Sequence, residues 1–575
     1  MSRIKTNLLF SAASLAVVTT AAQAADLPAK AAAPIEYVRV CGAYGAGFFY
    51  IPGTDTCLRV SGRARFEVGY SPTFSRGNGT GGNANQGDTT GYRGLARFNL
   101  DARTQTGYGT LRAFARIEIA SRTGATQGIR SGTQERIGQA FGATGQDQNG
   151  RAQQFVNLDK AFIQFAGLTA GRASSFFDFY AHDFEIQAAT AGSDVVSTNL
   201  IAYTAKLSEG FTATVSLEDP TFRRNGIYSQ ESAAQATFGT PYRVFAGLNG
   251  TGLPLYGEVD LAERNRLPDF VGVLRYDAAW GSAQISSAVH ELNTGNYNFQ
   301  QPNVNTPGAV TNANGQQVGT VNIPGTVATP ITGTAGQSPG NIAPVTRRPS
   351  TEYGYAVQGG VKVNLPFVAP GDAFYLQGAY GMGATLYTGF SSQSGSYITN
   401  VVTLNGSAFN QFIADATLNP FTGKIQAAES FSVVGSFLHY WSPEWRSAFF
   451  ASYGENNFAR GAREANFLAY NSGTAVSSNA TFIGGGPIGS RSFALSPVLR
   501  DNYQIIAGAS LIWSPVKDLD IGVEGVYIKN GLKSGRVVNQ TDNPVTAAAI
   551  NAGAFVRTVS SEDTYNARFR VQRDF

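Results

Sequence analysis

Residues 62–70 read Gly-Arg-Ala-Arg-Phe-Glu-Val-Gly-Tyr, and their side chains alternate between polar and apolar from one position to the next. The odd positions carry Arg63, Arg65 and Glu67, whereas the even positions after Gly62 carry alanine, phenylalanine, valine and tyrosine. Successive side chains of a β-strand point to opposite faces. This stretch therefore predicts a strand with one polar face and one apolar face.

The same period of two recurs outward along the chain. Arginine, asparagine and aspartate alternate with apolar residues over 96–103, and residues 111–119 repeat the pattern except that Phe114 falls on the polar parity. The apolar faces include small alanines, which suit fluid lipid better than a packed core, and the rows of arginine suit an aqueous interior. A soluble β-sandwich is the alternative, but these features favour a membrane barrel. Further alternating segments occupy residues 211–218, 353–364 and 519–527.

The connections between the alternating segments fall into two length classes. Short connections alternate with long stretches rich in Gly, Asn, Thr and Ser, an asymmetry typical of membrane β-barrels. We count sixteen strands and predict an all-β fold, a 16-stranded antiparallel transmembrane β-barrel with short periplasmic turns and long extracellular loops. The short connections lie near residues 104–109, 208–210, 279–282, 366–372, 442–444 and 515–518.

The composition agrees with this class of protein. The 575 residues include 67 glycines, 12% aromatic residues and only 14% charged residues, and the mean hydropathy is −0.12. Lipid-facing and lumen-facing residues cancel in any hydropathy window, so a barrel of this kind shows no long apolar run. The net charge of +4 gives no indication of a polyanionic partner, and we predict that the protein binds no nucleic acid.

The sequence contains few residues that could form a catalytic site. A catalytic nucleophile needs a base within hydrogen-bonding reach, and the three histidines, His182, His290 and His439, belong to no hydrolase, zinc-protease or phosphate-loop motif. We therefore predict no enzymatic activity, no catalytic residue, no cofactor and no metal site.

The N-terminus has the features of a secretory signal peptide. Arg3 and Lys5 precede an apolar stretch over residues 8–18, and Ala22-Gln23-Ala24 gives a small-residue cleavage site. A membrane anchor is the alternative, but the apolar run is too short to cross about 30 Å of hydrocarbon. We predict that residues 1–24 are a signal peptide, that 25–56 form a periplasmic N-terminal segment and that 57–575 form the barrel. Two cysteines in an exported chain, Cys41 and Cys57, predict a disulfide bond.

Three stretches closely resemble one family. Glu36–Arg63 reads EYVRVCGAYGAGFFYIPGTDTCLRVSGR and is similar to the start of mature alphaproteobacterial outer-membrane porins. AFIQFAGLTAGRASSFFDFY at 161–180 and NLIAYTAKLSEGFTATVSLED at 199–219 resemble the same family. One departure is Gly42, where the family pattern leads us to expect an acidic residue. The terminal amphipathic strand, which ends at Phe575, resembles the assembly signal of outer-membrane proteins.

The resemblance implies a function and a site. It implies sixteen-stranded trimeric channels for passive diffusion, with the loop after the fifth strand, at about 174–198, folded into the lumen as a constriction. This loop supplies the acidic candidates, and the polar faces of the first three strands supply the basic ones. Acidic loop residues that face basic wall residues would create a transverse electric field across the narrowest point of the channel. The pore-lining candidates are Arg63, Arg65, Arg97, Arg103, Arg112 and Arg116 on the wall and Asp178, Asp183, Glu185 and Asp194 on the loop.

The expected partners follow from the same reading. We expect a homotrimer embedded in outer-membrane lipid, inserted by the outer-membrane assembly machinery and passing small hydrophilic solutes and ions. A substrate-specific channel and a structural adhesin share the barrel and are the alternatives. An aromatic track along the lumen would indicate a substrate-specific channel. The absence of conductance would indicate an adhesin.

Overall fold

The computed structural model shows a chain that divides into two compact units, Met1–Cys57 and Leu58–Phe575. The first unit is described from residue 39, so that the predicted signal peptide, residues 1–24, lies outside the described residues. The structure describes residues 39–70, 90–124, 153–193, 197–228, 241–248, 254–260, 265–293, 308–311, 317–321, 350–390, 413–419, 424–465, 488–539 and 547–575.

The first unit is closed by a disulfide bond. Cys41 and Cys57 are joined, with their Cα atoms 6.0 Å apart, which confirms the predicted bond. Phe48 is buried beside the two cysteines. The peptide N–H of Cys41 donates to the carbonyl of Phe48 at 2.9 Å, and that of Ile51 donates to the carbonyl of Thr56. Hydrogen bonds and the covalent link thus hold this short segment together where a hydrophobic core would be too small.

The second unit is a closed β-barrel. Each of its strands pairs with the next one along the chain, and the last strand pairs with the first, from Arg63 opposite Asp574 to Tyr70 opposite Ala567. The predicted sixteen-stranded barrel is confirmed in the described part of the chain. The strands are β1 Cys57–Tyr70, β2 Thr90–Thr106, β3 Gly109–Gly124, β4 Gln153–Phe165, β5 Leu168–Ala173, β6 Thr198–Lys206, β7 Phe211–Glu218, β8 Asp269–Ala278, β9 Gly281–Leu292, β10 Glu352–Asn364, β11 Ala373–Met382, β12 Glu429–Tyr440, β13 Trp445–Asn457, β14 Asn502–Val516, β15 Leu519–Leu532 and β16 Ser561–Asp574.

Short turns and long connections alternate around the barrel, as the sequence predicts. Two residues, 107–108, join β2 to β3, and two more, 279–280, join β8 to β9. By contrast, the connection from β7 to β8 spans 219–268 and the connection from β9 to β10 spans 293–351. The strand ends joined by short turns therefore lie at one end of the barrel, and the strand ends from which the long connections leave lie at the other.

The two faces of the wall differ in the way that the alternation predicts. Phe66, Phe98 and Ile117 are each more than a third exposed on the outside, whereas Arg97 and Asn99 of the same strand as Phe98 point inward and are partly buried. A closed barrel leaves no unpaired strand edge, which is the condition for a sheet to cross a bilayer. An apolar exterior and a polar interior are the faces that lipid and water require of such a sheet.

The remaining elements are short. Within the described ranges, no helix is both long and apolar enough to cross a membrane. The α-helices are Arg491–Leu495 and Ala547–Asn551, the 3-10 helices are Gly42–Tyr44, Pro220–Phe222 and Thr385–Thr388, and the additional strands are Phe49–Tyr50, Ile227–Tyr228, Pro241–Leu248, Pro254–Asp260, Gly308–Thr311, Gln317–Val321, Ala416–Leu418, Ile425–Ala427, Val537–Val538 and Thr558–Val559.

Candidate functional site

The described residues of the connection from β5 to β6, 174–193 and 197, lie inside the barrel; we call them the inner loop. The peptide N–H of Tyr180 donates to the inward-facing amide oxygen of Gln377 on β11 at 2.8 Å. The peptide N–H of Ala191 donates to the hydroxyl of Ser452 on β13 at 2.9 Å. The loop thus leaves the wall at β5, crosses the interior, and contacts strands far around the barrel before it returns at β6.

A carboxylate on β15 holds the far end of the inner loop. Both oxygens of Glu524 accept backbone hydrogen bonds, one from the N–H of Ile186 at 2.6 Å and the other from the N–H of Gln187 at 2.7 Å. Charged acceptors make stronger hydrogen bonds than neutral ones. Glu524 lies on the polar parity of its strand, but nothing in the sequence indicates that it binds residues 337 positions away.

Glu185 does not occupy the position that the sequence reading gives it. Its side chain has no exposed surface, and its carboxylate accepts hydrogen bonds from the Tyr180 hydroxyl at 3.0 Å and from the N–H groups of Ala189 and Thr190 at 2.6 and 3.0 Å. Burial raises the pKa of Glu185, but contacts with His182 and Thr190 outweigh burial and place the pKa below its ordinary value. Glu185 therefore organises the loop from within and is not a lining residue.

The other described loop acids differ in exposure. Asp178 forms an ion pair with Arg223 at 2.6 Å and accepts from the Ser193 hydroxyl at 2.6 Å, and its side chain is 6% exposed. Asp183 is exposed, and the hydroxyl of Tyr375 donates to it at 3.1 Å. Asp194 lies outside the described residues. Of the described loop candidates, Asp183 alone presents an exposed carboxylate.

Arg223, which sequence reasoning missed, connects the inner loop to a second set of inserted segments. The Arg223 side chain is fully buried and lies over the ring of Tyr387, with its Cζ atom 4.6 Å from the ring centroid. Tyr387 in turn donates to Asp269 at 2.6 Å. Only the alternation rule was available from sequence, and it does not apply to irregular segments. We call residues 219–228, 383–390 and 413–419 the second insert.

A buried carboxylate joins the parts of the second insert. Asp415 accepts from the N–H of Asn225 at 2.5 Å and from the N–H of Thr385 at 2.7 Å. Burial raises the pKa of Asp415 to about 6. Three segments that are distant in sequence are therefore fixed together through a single side chain.

The six candidate arginines lie together on the inner face of β1, β2 and β3. Their side chains are between 14% and 27% exposed. Arg103 and Arg112 face each other across neighbouring strands and both donate to Asp101, at 2.8 to 3.0 Å. Arg97 donates to Glu118 at 2.7 Å.

The remaining wall arginines have mixed partners. Arg63 donates to Asp574 at 2.6 Å across the β1–β16 junction. Arg65 donates to the neutral side chain of Gln572 at 2.6 and 2.9 Å. Arg116 donates to the neutral side chain of Asn99 at 2.9 Å and to Asp159 at 3.4 Å. The carboxylates that hold this wall are therefore part of the barrel itself.

Phe575 closes the junction between the first and last strands. Its N–H donates to the carbonyl of Gly62 at 3.1 Å, and the N–H of Gly62 donates to the carbonyl of Phe575 at 2.7 Å. A Cβ atom on Gly62 would lie 2.4 Å from the ring atom Cζ of Phe575. The terminal aromatic side chain therefore needs a glycine opposite it. Its role as an assembly signal stays a prediction.

The described residues contain no cluster of three or more histidine, cysteine, aspartate or glutamate side chains with the geometry of a metal site. Each histidine instead contacts a carboxylate through Nδ1. The contacts are His182 with Glu185 at 3.1 Å, His290 with Asp269 at 2.8 Å and His439 with Asp372 at 2.7 Å.

Comparison with known proteins gives one family. The family model described as "Porin subfamily" matches residues 26–557. Porin Omp2b of Brucella suis is 34% identical over 289 residues, which cover 48% of this chain and 64% of that protein. Porin Omp2b of Brucella abortus (strain 2308) is 33% identical over the same shares. The match thus spans less than two thirds of the length of these relatives.

Several solved structures are similar to this chain. The outer membrane channel DcaP of Acinetobacter baumannii superposes with a TM-score of 0.48 at 14% identity, covering 92% of this chain and 99% of that one. OmpF of Salmonella typhi gives a TM-score of 0.36 at 11% identity, covering 91% and 99%.

Proposed function

The chain belongs to the porin subfamily, and from that premise we propose that it forms a water-filled channel through the bacterial outer membrane for the passive diffusion of small hydrophilic molecules and ions. The family and its curated relatives bear the names of channel proteins, not of enzymes. We propose the same channel function for the present chain.

The inner loop is the observation that carries the proposal. A closed sheet with an apolar exterior and a polar interior can hold water across a bilayer, and a chain segment folded into that interior narrows it. Tyr180 and Ala191 bond to opposite-wall strands, so the loop cannot lie on the rim. The free cross-section then lies between the loop and the remaining wall.

The constriction is formed, in this proposal, by the arginines of β1–β3 and by the loop. The wall residues are Arg63, Arg65, Arg97, Arg103, Arg112 and Arg116. The loop contributes Asp183 and, through its ion pair with Arg223, Asp178; Asp194 stays a proposed member. Charged groups that face each other across a narrow passage order the water there, which favours polar solutes over apolar ones.

The biological setting is proposed on the same grounds. The exposed apolar side chains of the strands would contact outer-membrane lipid, and three copies would associate as a homotrimer. Export would follow cleavage after Ala24, and the assembly machinery would recognise the last strand with its terminal Phe575. These expectations rest on family resemblance and on the sequence at the two ends.

Single-channel recording tests the function directly. The purified, folded protein is added to a planar lipid bilayer, and we expect stepwise current increases that scale with salt concentration. Circular dichroism rich in β-structure serves as the control for folding. A folded protein that adds no conductance would contradict the channel and favour a structural adhesin. Conductance that is blocked by one class of solute would instead indicate a substrate-specific channel.

A further inference from the structure

We infer that this channel prefers anions, and that its filter is a pair of arginines held on an aromatic platform of the inner wall. The inference rests on the proposed function and specifies which solutes that function serves. Three observations support it. The described wall has more arginines than carboxylates, two of the three described loop acids are buried with internal partners, and two wall arginines stack on phenylalanine rings.

The wall has more arginines than carboxylates among the described residues. Asp101 is shared by two guanidinium groups, those of Arg103 and Arg112. Asp101 by itself can neutralise only one of these two charges. Arg65 hydrogen-bonds to the neutral Gln572.

A second cluster shows the same excess. Glu67 forms an ion pair with Arg93 and lies 4.0 Å from Arg65 and 3.9 Å from Arg568. Glu524 on β15 lies opposite Arg568 and supplies one more carboxylate, whose two oxygens also accept from the inner loop. Three guanidinium groups thus surround the one carboxylate of Glu67.

The inner loop exposes few carboxylates to the lumen in its described residues. Asp178 is paired with the buried Arg223, and Glu185 has no exposed surface. Asp183 is the exposed carboxylate of the described loop residues, and it bonds to the Tyr375 hydroxyl. Lys362 lies over the same Tyr375 ring, 5.3 Å from its centroid. Of the three described loop carboxylates, only that of Asp183 therefore faces the lumen.

An aromatic platform positions two of the wall arginines. The rings of Phe114 on β3 and Phe162 on β4 stack with centroids 5.2 Å apart and planes inclined by 28°. The Cζ atom of Arg112 lies 5.0 Å from the Phe114 centroid and 5.5 Å from the Phe162 centroid. The Cζ atom of Arg116 lies 5.6 Å from the Phe114 centroid.

This platform explains why Phe114 departs from the alternation. Exposing a phenylalanine ring to water on the polar face costs free energy. Here the guanidinium groups of Arg112 and Arg116 cover the ring, because cations are attracted to an aromatic face. A planar guanidinium stacked in this way keeps its N–H groups at its edge, where they can bind carboxylate or phosphate oxygens. Phe114 and Phe162 are therefore positioning residues for Arg112 and Arg116.

The physical consequence is selectivity by sign. In a narrow passage with low-dielectric walls, charges act on ions more strongly than they do in bulk water. A net positive wall lowers the free energy of an anion there and raises that of a cation. Salt screens this effect over about 10 Å at 0.1 M, so the preference should decrease as ionic strength increases.

Reversal potentials in planar bilayers test the inference. Under a KCl gradient at low ionic strength, the wild-type channel should give the sign expected for a chloride-preferring pore. The double variant R112Q/R116Q should lower the anion-to-cation permeability ratio, and R116Q alone should lower it less. F114L removes no charge, yet it should shift the ratio in the same direction because it loosens both arginines.

R266Q is the matched control. Arg266 loses the same charge in a segment outside the strands where its side chain is 50% exposed, and we expect the wild-type ratio. Each variant is first checked for the gel shift between unheated and boiled samples, and R116Q remains informative where the double variant does not fold.

The outcomes separate the two proposals. A conducting wild-type channel that prefers cations overturns the anion preference and leaves the channel function standing, whereas a folded protein without conductance overturns the function itself. A shift in R112Q/R116Q together with a wild-type ratio in F114L overturns the role of the platform. An equal shift in R266Q overturns the assignment of the filter to Arg112 and Arg116.

Discussion

Single carboxylates position the irregular segments inside this barrel. Glu524 binds two N–H groups of the inner loop, Glu185 binds two more from within the loop, and Asp415 binds two in the second insert. A buried backbone N–H without an acceptor costs about as much free energy as a lost hydrogen bond. Each of these carboxylates therefore supports chain segments that have no strand partner.

Glu524→Gln should loosen the inner loop. The amide group that replaces one oxygen cannot accept, so either Ile186 or Gln187 loses its acceptor, at a cost of about 1–3 kcal/mol. We expect a larger mean single-channel conductance and more current noise in the open state, measured at fixed voltage and salt. The control is Asp520→Asn on the same strand, because Asp520 bonds to Arg446 and Ser514 at 2.7 and 2.6 Å. Equal conductance and noise in wild type and Glu524→Gln would contradict a tethering role.

The strands and turns depend on close backbone approaches at particular positions. Gly281 opens β9 directly after the short turn from β8, with φ +148°. A Cβ atom built there would lie 1.9 Å from the carbonyl oxygen of Lys362 on β10. Gly525 on β15, by contrast, has no atom within 4 Å of such a Cβ. The close approach requires glycine at position 281 but not at position 525, and substitution can separate the two cases.

Gly281→Ala should weaken the barrel where β9 meets β10. A residue other than glycine in a backbone conformation that favours glycine destabilises the fold by about 1–3 kcal/mol. The close contact with the Lys362 carbonyl destabilises it further. We expect the unheated protein to lose its compact gel form at a lower temperature than wild type. Gly525→Ala, which adds the same methyl group in open space, should behave as wild type. Equal transition temperatures for wild type, Gly281→Ala and Gly525→Ala would show that the close approach at Gly281 does not affect the stability of the barrel.

The molecule as a whole is held by closure of the sheet. The pairing of β1 with β16 leaves no barrel strand in the described chain with an open edge, and a closed sheet in lipid has no low-energy route to partial unfolding. The apolar exterior adds a preference for a lipid or detergent environment. Stability is therefore a property of the ring and not of any one strand.

Resistance to detergent tests closure and association together. Unheated samples in sodium dodecyl sulfate should migrate differently from boiled samples, and a trimer should migrate more slowly than the boiled chain. Circular dichroism of the unheated sample should show β-structure. Identical migration as a monomer before and after boiling, with a helical spectrum, would contradict the closed trimeric barrel.

The sequence alone determined the strands, their number and the two faces of the wall. Alternation is a local property, because each side chain's face follows from the pleat of its own strand. Residues 62–70 therefore predicted β1 and the inward orientation of Arg63 and Arg65. The spacing and composition of the segments in between predicted the alternation of short turns and long connections, and two cysteines in an exported chain predicted the disulfide bond.

Only the tertiary structure decided what those inward residues do. Glu185 looked like a lining residue but is buried, because five donors of its own loop surround it. Arg223 gave no signal, although it neutralises Asp178. Phe114 was an exception without a reason until Phe162 was placed beside it. The contacts of Arg223 and Phe114 join residues that are tens of positions apart, and those of Glu185 depend on how its own loop folds. The pleat of one strand contains no information about either.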